Sequence, residues 1–375
     1  MRIAIIGCGN VVLNGHLPAL LGVPDIQVGA VADPTPERRR AARDSAGLDE
    51  GDAVADWRQV VARPDIDAVL IATPQAVRPE IALAAIAAGK HLLCEKPLAL
   101  APADAHAMVD AARARGVVLA TVHNYTLIPV YRAIKSVIVS GEIGELEVAT
   151  LNFLGVEDRP GNPDFQPRWR HALASAGGGV LMDMLHAVYL AGWLFDALPI
   201  SVSAIVDRRR DDGGDVEDLA LVQYRYPRGY AAVNMAWGHG PGGIELTGTH
   251  GRLVLVNDGF GTHPFVDPNC IHVVGTGGHR QIVPERHGGG SFGAIAAGFR
   301  DAVASGESPI ADGTAGAAVL EAVVGAYAAG ALGQDVALPL DSKGPVYAHG
   351  AAGIAHLELP VTSPVRQRNL FGATS

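Results

Sequence analysis

Short, nearly continuous apolar runs alternate with Ala-rich stretches from residue 1 to about residue 122. The runs fall at Arg2–Ile6, Gln27–Ala32, Ala53–Ala55, Asp67–Ala72, His91–Cys94 and Val117–Thr121, and helices are expected from near Asn10, Pro36, Trp57, Pro79 and Pro102. A strand that is apolar without alternation is buried on both faces, as parallel strands are. Six such runs separated by helices predict a doubly wound parallel sheet. Ligands of such sheets lie beyond the carboxyl ends of the strands, which singles out Thr73-Pro74, Glu95-Lys96-Pro97 and His123-Asn124-Tyr125.

The period changes near residue 145. Glu147–Phe153, Val202–Val206, Leu219–Tyr226, Tyr230–Ala236 and Ile244–Thr249 are alternating or β-branched runs separated by Gly and Pro turns. They predict a largely antiparallel, open-faced sheet, with helices at about Val180–Phe195, Phe292–Ala304 and Thr314–Leu332. A sheet with one bare face invites a partner, so a homo-oligomer through that face is expected. The division expected is 1–122 for an α/β Rossmann domain, 123–340 for an α+β substrate-binding and oligomerisation domain, and 341–375 for an irregular arm. The glycine-rich loop Gly275–Gly290 suits a lid or an interface arm.

The first strand runs into Gly7-Cys8-Gly9-Asn10-Val11-Val12. Gly7 and Gly9 allow a tight turn against a pyrophosphate, and the following helix, carrying Leu13, Leu17, Leu20 and Leu21 inward, presents its free amides and positive dipole end to the phosphates. Asp33 ends the second strand, where a ribose 2′-hydroxyl needs an acceptor. Its charge would repel a 2′-phosphate, which favours NAD over NADP. Arg38, Arg39 and Arg40 follow closely and leave NADP open, although they also read as a solvated helix face. Val12 stands where the fingerprint has its third small residue.

Composition narrows the class. A formal net charge of −10 disfavours a nucleic-acid surface. Three cysteines without metal-like spacing point to a reducing compartment, with Cys8 and Cys94 as small core residues. No signal peptide or membrane span is expected, Val180–Phe195 and Thr314–Gly333 being too short or too polar, and the expected location is cytoplasmic. His239, His263, His272, His279 and His287 show no ligand spacing, so no metal is expected.

Two constellations carry chemistry. Lys96, at the end of the fifth strand, can donate a hydrogen bond to a substrate oxygen and stabilise alkoxide character as hydride leaves. Glu95 can position that lysine or touch the nicotinamide ribose, and Pro97 shapes the turn and suits a cis bond. The second is Gly177-Gly178-Gly179 through Asp183 to His186, whose glycines permit close backbone approach. Asp183 and His186, three apart on one helical face, project together, and a histidine near neutral pKa suits a base for a hydroxyl proton. Each also has a plain structural reading, as a surface lysine in a Pro turn and a satisfied core histidine. His123, Asn124 and Tyr125 can line a substrate pocket or form a junction turn, and Arg168, Trp169 and Arg170 suit a sugar or sugar acid or a solvated loop. Arg78 reads as solvent-facing.

The segments Gly7-Cys8-Gly9-Asn10 with His16-Leu17-Pro18-Ala19-Leu20, Ala72-Thr73-Pro74, Ala88 through Glu95-Lys96-Pro97-Leu98, Gly177 to His186 and Gly248-Thr249-His250-Gly251 together resemble the Gfo/Idh/MocA family, the relatives of glucose-fructose oxidoreductase and inositol dehydrogenase, over about residues 1 to 340. The resemblance implies an amino-terminal Rossmann domain, a carboxyl-terminal α+β sheet domain and NAD(P)-dependent redox chemistry on a sugar, cyclitol or related polyol. It also implies that Lys96, Asp183 and His186 form the active-site triad. Family members often place the aspartate and histidine four apart, and many carry a histidine where Arg78 stands. The alternatives are an NAD-dependent glycosidase working by transient oxidation and elimination, and a non-catalytic nucleotide sensor.

Overall fold

In the amino-terminal half the apolar runs become β1 (Arg2–Ile6), β2 (Gln27–Ala32), β3 (Ala53–Val54), β4 (Ala68–Ile71), β5 (His91–Cys94) and β6 (Leu119–Thr121). The computed structural model describes residues 1–156, 169–209, 214–238, 240, 242–256, 270–285 and 290–357. The six strands pair in the order β3-β2-β1-β4-β5-β6, all parallel. Ile3, Ile5, Val69, Leu70, Leu92 and Leu93 are fully buried, which accounts for the lack of polar alternation in these runs. The order turns back at β1 and β4, and that switch point puts the ends of these strands beside a crevice.

Helical backbone begins at Asn10, as the sequence pattern predicts, but its second turn is π-helical over Val12–His16 before an α-helix over Leu17–Gly22. The extra residue in that turn shifts the phase of the helix. Leu17 and Leu20 are buried as expected, whereas Leu21 is 51% exposed, and His16 is the residue turned into the core.

The chain divides into two compact units: Met1–Ala99, Ala103–Asn124 and Gly289–Ala317 form one, and Leu100–Pro102, Tyr125–Gly288 and Ala318–Ser375 the other. The helix Ser291–Ser305 therefore belongs with the first unit, whereas the sequence pattern assigns it to the second. Arg300 ties it down through a guanidinium bond to the Pro24 carbonyl.

The second unit is built on β7 (Leu146–Val156), β8 (Ser201–Asp207), β9 (Leu219–Tyr226), β10 (Gly229–Trp237), β11 (Gly242–Gly248), β12 (Gly251–Val256), β13 (Cys270–Gly275), β14 (Gly278–Ile282) and β15 (Val336–Ala337). Their order is β14-β13-β12-β11-β7-β10-β9-β8-β15, antiparallel except for β7 with β10. The helix Leu185–Phe195 packs on β7 and β10. Ala149, Leu151, Phe153, Val222, Tyr224 and Val233 are buried on the sheet, while Tyr230, paired with Val148, is 56% exposed and Val148 43%. One face is thus core and the other bare, as the alternation predicts. The strands β12 to β15 are not among the runs the sequence pattern predicts.

Two expectations are corrected. The stretch Val180–Phe195 is not one helix: it breaks at Met184 into Val180–Asp183 and Leu185–Phe195, with a 46° bend between Leu173–Asp183 and Leu185–Phe195. Beyond residue 340 the chain forms a helix over Pro345–His349 and a 3-10 helix over Gly350–His356 rather than an irregular arm; residues 358–375 lie outside the described residues. Gly350 starts the second of these because a Cβ there would lie 2.1 Å from the Leu100 carbonyl oxygen. The helix Gly313–Leu332 is long and apolar enough to cross a membrane, yet 83% of its most apolar window is buried inside the protein, as in a core helix.

Candidate functional site

The glycine loop after β1 is shaped by contacts that only glycine permits. Gly7 has φ +91°, and a Cβ there would lie 2.7 Å from the Ala72 carbonyl oxygen at the end of β4. The Cys8 amide donates to Asp33 Oδ2 at 2.7 Å and the Thr35 amide to Asp33 Oδ1 at 2.8 Å, so the buried acid closing β2 holds the loop. A Cβ on Gly9 would meet nothing within 4 Å. Asn10 and Val11, opening the helix, are exposed, while Val12 is fully buried and takes the packing place of the third small residue. Open space over Gly9 beside an exposed helix start fits a dinucleotide pyrophosphate. Arg39 bonds back to the Asp33 carbonyl at 2.6 Å, and Arg38 is exposed. Cys8 and Cys94 are core residues, and burial pushes both thiols up to about 12.

At the ends of β4 and β5 the structure corrects the reading of Arg78. It is 2% exposed, and its guanidinium donates to the carbonyls of Thr73, Pro97 and Glu95, the last at 2.7 Å. Arg78 opens the helix Arg78–Ala87, so its side chain reaches back over the strand ends, where three carbonyls leave the ladder together. It clamps both carbonyls that flank Lys96 and the one before Pro74. The Lys96–Pro97 bond is cis. Burial favours the neutral arginine and lowers its pKa, opposed by Cys94 and Glu95.

Glu95 is buried, with Oε1 2.7 Å from His16 Nε2 and Oε2 accepting the Lys96 amide at 3.1 Å. Burial raises its pKa, but the hydrogen bond and charge of His16, then Lys96 and Arg78, outweigh burial and hold the carboxyl below its ordinary value. Phe292 packs edge-on against the His16 ring at 4.7 Å. His123, fully buried beyond β6, is pushed down to about 3 by burial and then by the charge of Lys96, so it is neutral at physiological pH. Asn124 donates to Ser291 Oγ at 3.0 Å.

In the second unit, Asp183 and His186 do not share one helical face, because the break at Met184 separates them. His186 is 7% exposed, and its ring stacks on Tyr125 with centroids 4.4 Å apart and planes 4° apart. Tyr125 in turn stacks on Tyr131 at 5.9 Å. Burial, then the charge of Asp183, raises the pKa of the Tyr125 phenol. Asp183 Oδ2 accepts a long bond, 3.4 Å, from the Trp237 indole. Trp169 is 45% exposed, with the Arg170 guanidinium 5.9 Å from its ring centre. Arg168 lies outside the described residues.

Sequence reasoning placed the strand-end residues but missed what holds them. The sequence pattern turns Arg78 to solvent and gives His16, Glu217 and Trp237 no role. The pair Glu217-Asp218 directly before the apolar β9 run was the available signal, because acids entering a buried strand need partners. Among the described residues no group of three or more His, Cys, Asp or Glu could hold a metal ion.

Comparison with known proteins identifies both domains. Residues 1–123 match the oxidoreductase family with an NAD-binding Rossmann fold, and residues 131–254 match the GFO/IDH/MocA C-terminal domain. A dTDP-3,4-didehydro-2,6-dideoxy-alpha-D-glucose 3-reductase from Saccharopolyspora spinosa is 32% identical over 68% of this chain and 74% of its own length. A levoglucosan dehydrogenase from Pseudarthrobacter phenanthrenivorans is 33% identical over 52% of this chain, which spans half of that relative. The structure of a levoglucosan dehydrogenase in complex with NADH and L-sorbose superimposes with a TM-score of 0.81 at 25% identity, covering 91% of this chain and 99% of that one. A parallel six-stranded sheet carrying the glycine loop and Asp33, with a second mostly antiparallel sheet, thus meets both family domains in order, and the chain belongs to the Gfo/Idh/MocA oxidoreductase family.

Proposed function

We propose that the protein is an NAD(P)-dependent dehydrogenase that moves hydride between C4 of nicotinamide and a carbinol carbon of a sugar, cyclitol or related polyol. The observation that carries the reading is the clamped turn at Glu95-Lys96-Pro97, where a buried arginine and a buried His16–Glu95 pair hold a lysine at the carboxyl end of β5. Such support serves a residue whose ammonium must be placed to within a fraction of an ångström. Gly7, Gly9, Asn10, Val11, Val12, Asp33, Thr73, Pro74 and Glu95 would hold the cofactor, and the bound nicotinamide would accept or return the hydride. NAD is preferred, because Asp33 offers a carboxylate to a ribose and the exposed Arg38 makes only a weak claim on a 2′-phosphate.

In the oxidative direction Lys96 donates to the substrate oxygen and stabilises it as negative charge develops. His186 accepts the hydroxyl proton, its ring plane set by Tyr125. Asp183 binds a substrate hydroxyl. His123, kept neutral, offers a ring nitrogen to a hydroxyl without adding charge. The exposed indole of Trp169 suits a sugar face, whereas Asn124, bonded to Ser291, serves the fold. A second copy of the chain covers the bare face around Tyr230 and Val148, and the three free cysteines fit a cytoplasmic protein.

The test is a polyol and glycoside panel with NAD and NADP, run on protein checked for retained cofactor. NADH formation with a polyol, lost by at least a thousandfold in Lys96→Met with NADH affinity within about threefold, is the expected result. Release of free sugar without NADH, or full turnover in Lys96→Met, overturns it.

A further inference from the structure

The glycine run Gly177-Gly178-Gly179 has no part in the chemistry above, and the structure shows what it makes room for. Glu217, 0% exposed, lies two residues before β9 and takes three consecutive amides of the turn that leads to Asp183. The Gly179 amide donates to its Oε2 at 2.7 Å, the Val180 amide to its main-chain carbonyl at 3.1 Å, and the Leu181 amide to its Oε1 at 3.0 Å. The Tyr327 hydroxyl donates to Oε1 at 2.7 Å. A Cβ at Gly179 would lie 1.9 Å from the Glu217 carbonyl oxygen, and one at Gly178 would lie 2.0 Å from the Tyr327 hydroxyl. The glycines are there because Glu217 and Tyr327 come so close.

The same short segment holds the other side of Asp183. The Trp237 amide donates to the Asp218 carbonyl at 3.0 Å, and the Trp237 indole reaches Asp183 Oδ2. One pair of neighbouring residues therefore fixes the backbone that carries Asp183 and the indole that contacts its carboxylate. We infer that Glu217 is a positioning residue that sets the place of Asp183, and through the break at Met184 that of His186, by capping the Gly179 and Leu181 amides with its buried carboxylate. The inference rests on the roles proposed above for Asp183 and His186. Burial pushes the carboxyl up to about 7, but all three partners of its oxygens are donors, and a donor set favours the charged form. No apolar replacement can satisfy those amides, and a buried amide left without an acceptor destabilises the turn.

The experiment uses the full chain and two variants. Glu217→Gln keeps the volume but sets an amide donor against one of the turn amides or the tyrosine hydroxyl; Tyr327→Phe removes one donor and adds no conflict, and decides the matter if the first variant does not fold. The indole ¹H–¹⁵N signal of Trp237, assigned with Trp237→Phe, is recorded alongside kcat, KM and NADH affinity. Glu217→Gln is expected to lower kcat for the polyol at least tenfold and to shift the Trp237 signal, leaving NADH affinity within threefold and the Trp57 signal unmoved. Tyr327→Phe follows the same direction with about a threefold loss. Unchanged kcat, or a fall in kcat with the Trp237 signal in place, overturns the inference. If the wild-type protein oxidises nothing, the proposed function fails by itself, and the Trp237 shift alone then upholds or overturns the positioning.

Discussion

His16 Nε2 and Glu95 Oε1 meet 2.7 Å apart inside the first unit, joining the helix that follows the glycine loop to the turn that carries Lys96. Seventy-nine residues separate them in the chain. The pair gives the carboxylate a donor it cannot obtain from water, and so keeps its pKa low in spite of burial. A carboxyl depressed in the folded state adds stability above its unfolded pKa of about 4.3 and loses it as pH falls through the folded value. His16→Ala removes the leading opposition to desolvation, so the Glu95 pKa rises and the stability gained from its charge shrinks. The variant should melt below the wild type at pH 7, and the gap should close as pH falls from 7 to about 2, because the wild type then loses the stability the variant lacks; a gap that does not change with pH would show that the pair contributes nothing through the Glu95 charge.

Arg78→Met should be among the most damaging substitutions in the first unit. It leaves the Thr73, Glu95 and Pro97 carbonyls without their buried donor, and at about 1–3 kcal/mol each the loss is of order 3 kcal/mol or more. Urea unfolding gives the stability. Turnover should fall with it, because both carbonyls flanking Lys96 are released.

Gly9→Ala separates cofactor binding from folding. Its Cβ meets no protein atom within 4 Å, so the melting temperature should stay within about 2 °C, as for an unstrained surface change. The methyl group would stand where the pyrophosphate approaches, and NADH affinity should fall by roughly a hundredfold or more. Gly7→Ala is the contrast, since φ +91° and the Ala72 carbonyl oppose it and the fold itself should weaken. Calorimetry and fluorescence titration of both variants check the pair.

Asp33→Asn tests the nucleotide preference. The amide keeps one acceptor for the Cys8 or Thr35 amide and removes the charge that repels a 2′-phosphate. The ratio of kcat/KM for NADP to that for NAD should rise at least tenfold, with Arg38 and Arg39 close by in sequence. No change in the ratio would place selectivity elsewhere.

Tyr230→Glu tests the bare face. A charge at the Tyr230↔Val148 pair should lower the mass seen by light scattering, while the buried face keeps the melting temperature within a few degrees. An unchanged mass would remove this face from the interface.

Much of the architecture was legible because burial period is a local property of the chain. The parallel strands announced themselves as continuous apolar runs, the second sheet as alternation, and the glycine loop with Asp33 as spacing along some 30 residues. The same locality explains the misses. Asp183 and His186 are three apart, which on an unbroken helix means one face, yet the amides before Asp183 are taken by Glu217, and the helix breaks at Met184. Leu21 fits the periodicity and still faces solvent, at the last turn of its helix.

The sequence by itself determined the fold class, the nucleotide loop and the residues that stand at the strand ends, since each depends on neighbours within a turn or a strand. Only the tertiary structure decided what holds them: Arg78 folded inward over three carbonyls, His16 paired with Glu95, Tyr125 stacked on His186, and Glu217 seated beneath the glycine run. Those contacts satisfy buried polar groups between elements far apart in the chain. A buried donor or acceptor must find a partner somewhere, but which one it finds is settled by packing, and no periodicity records that choice.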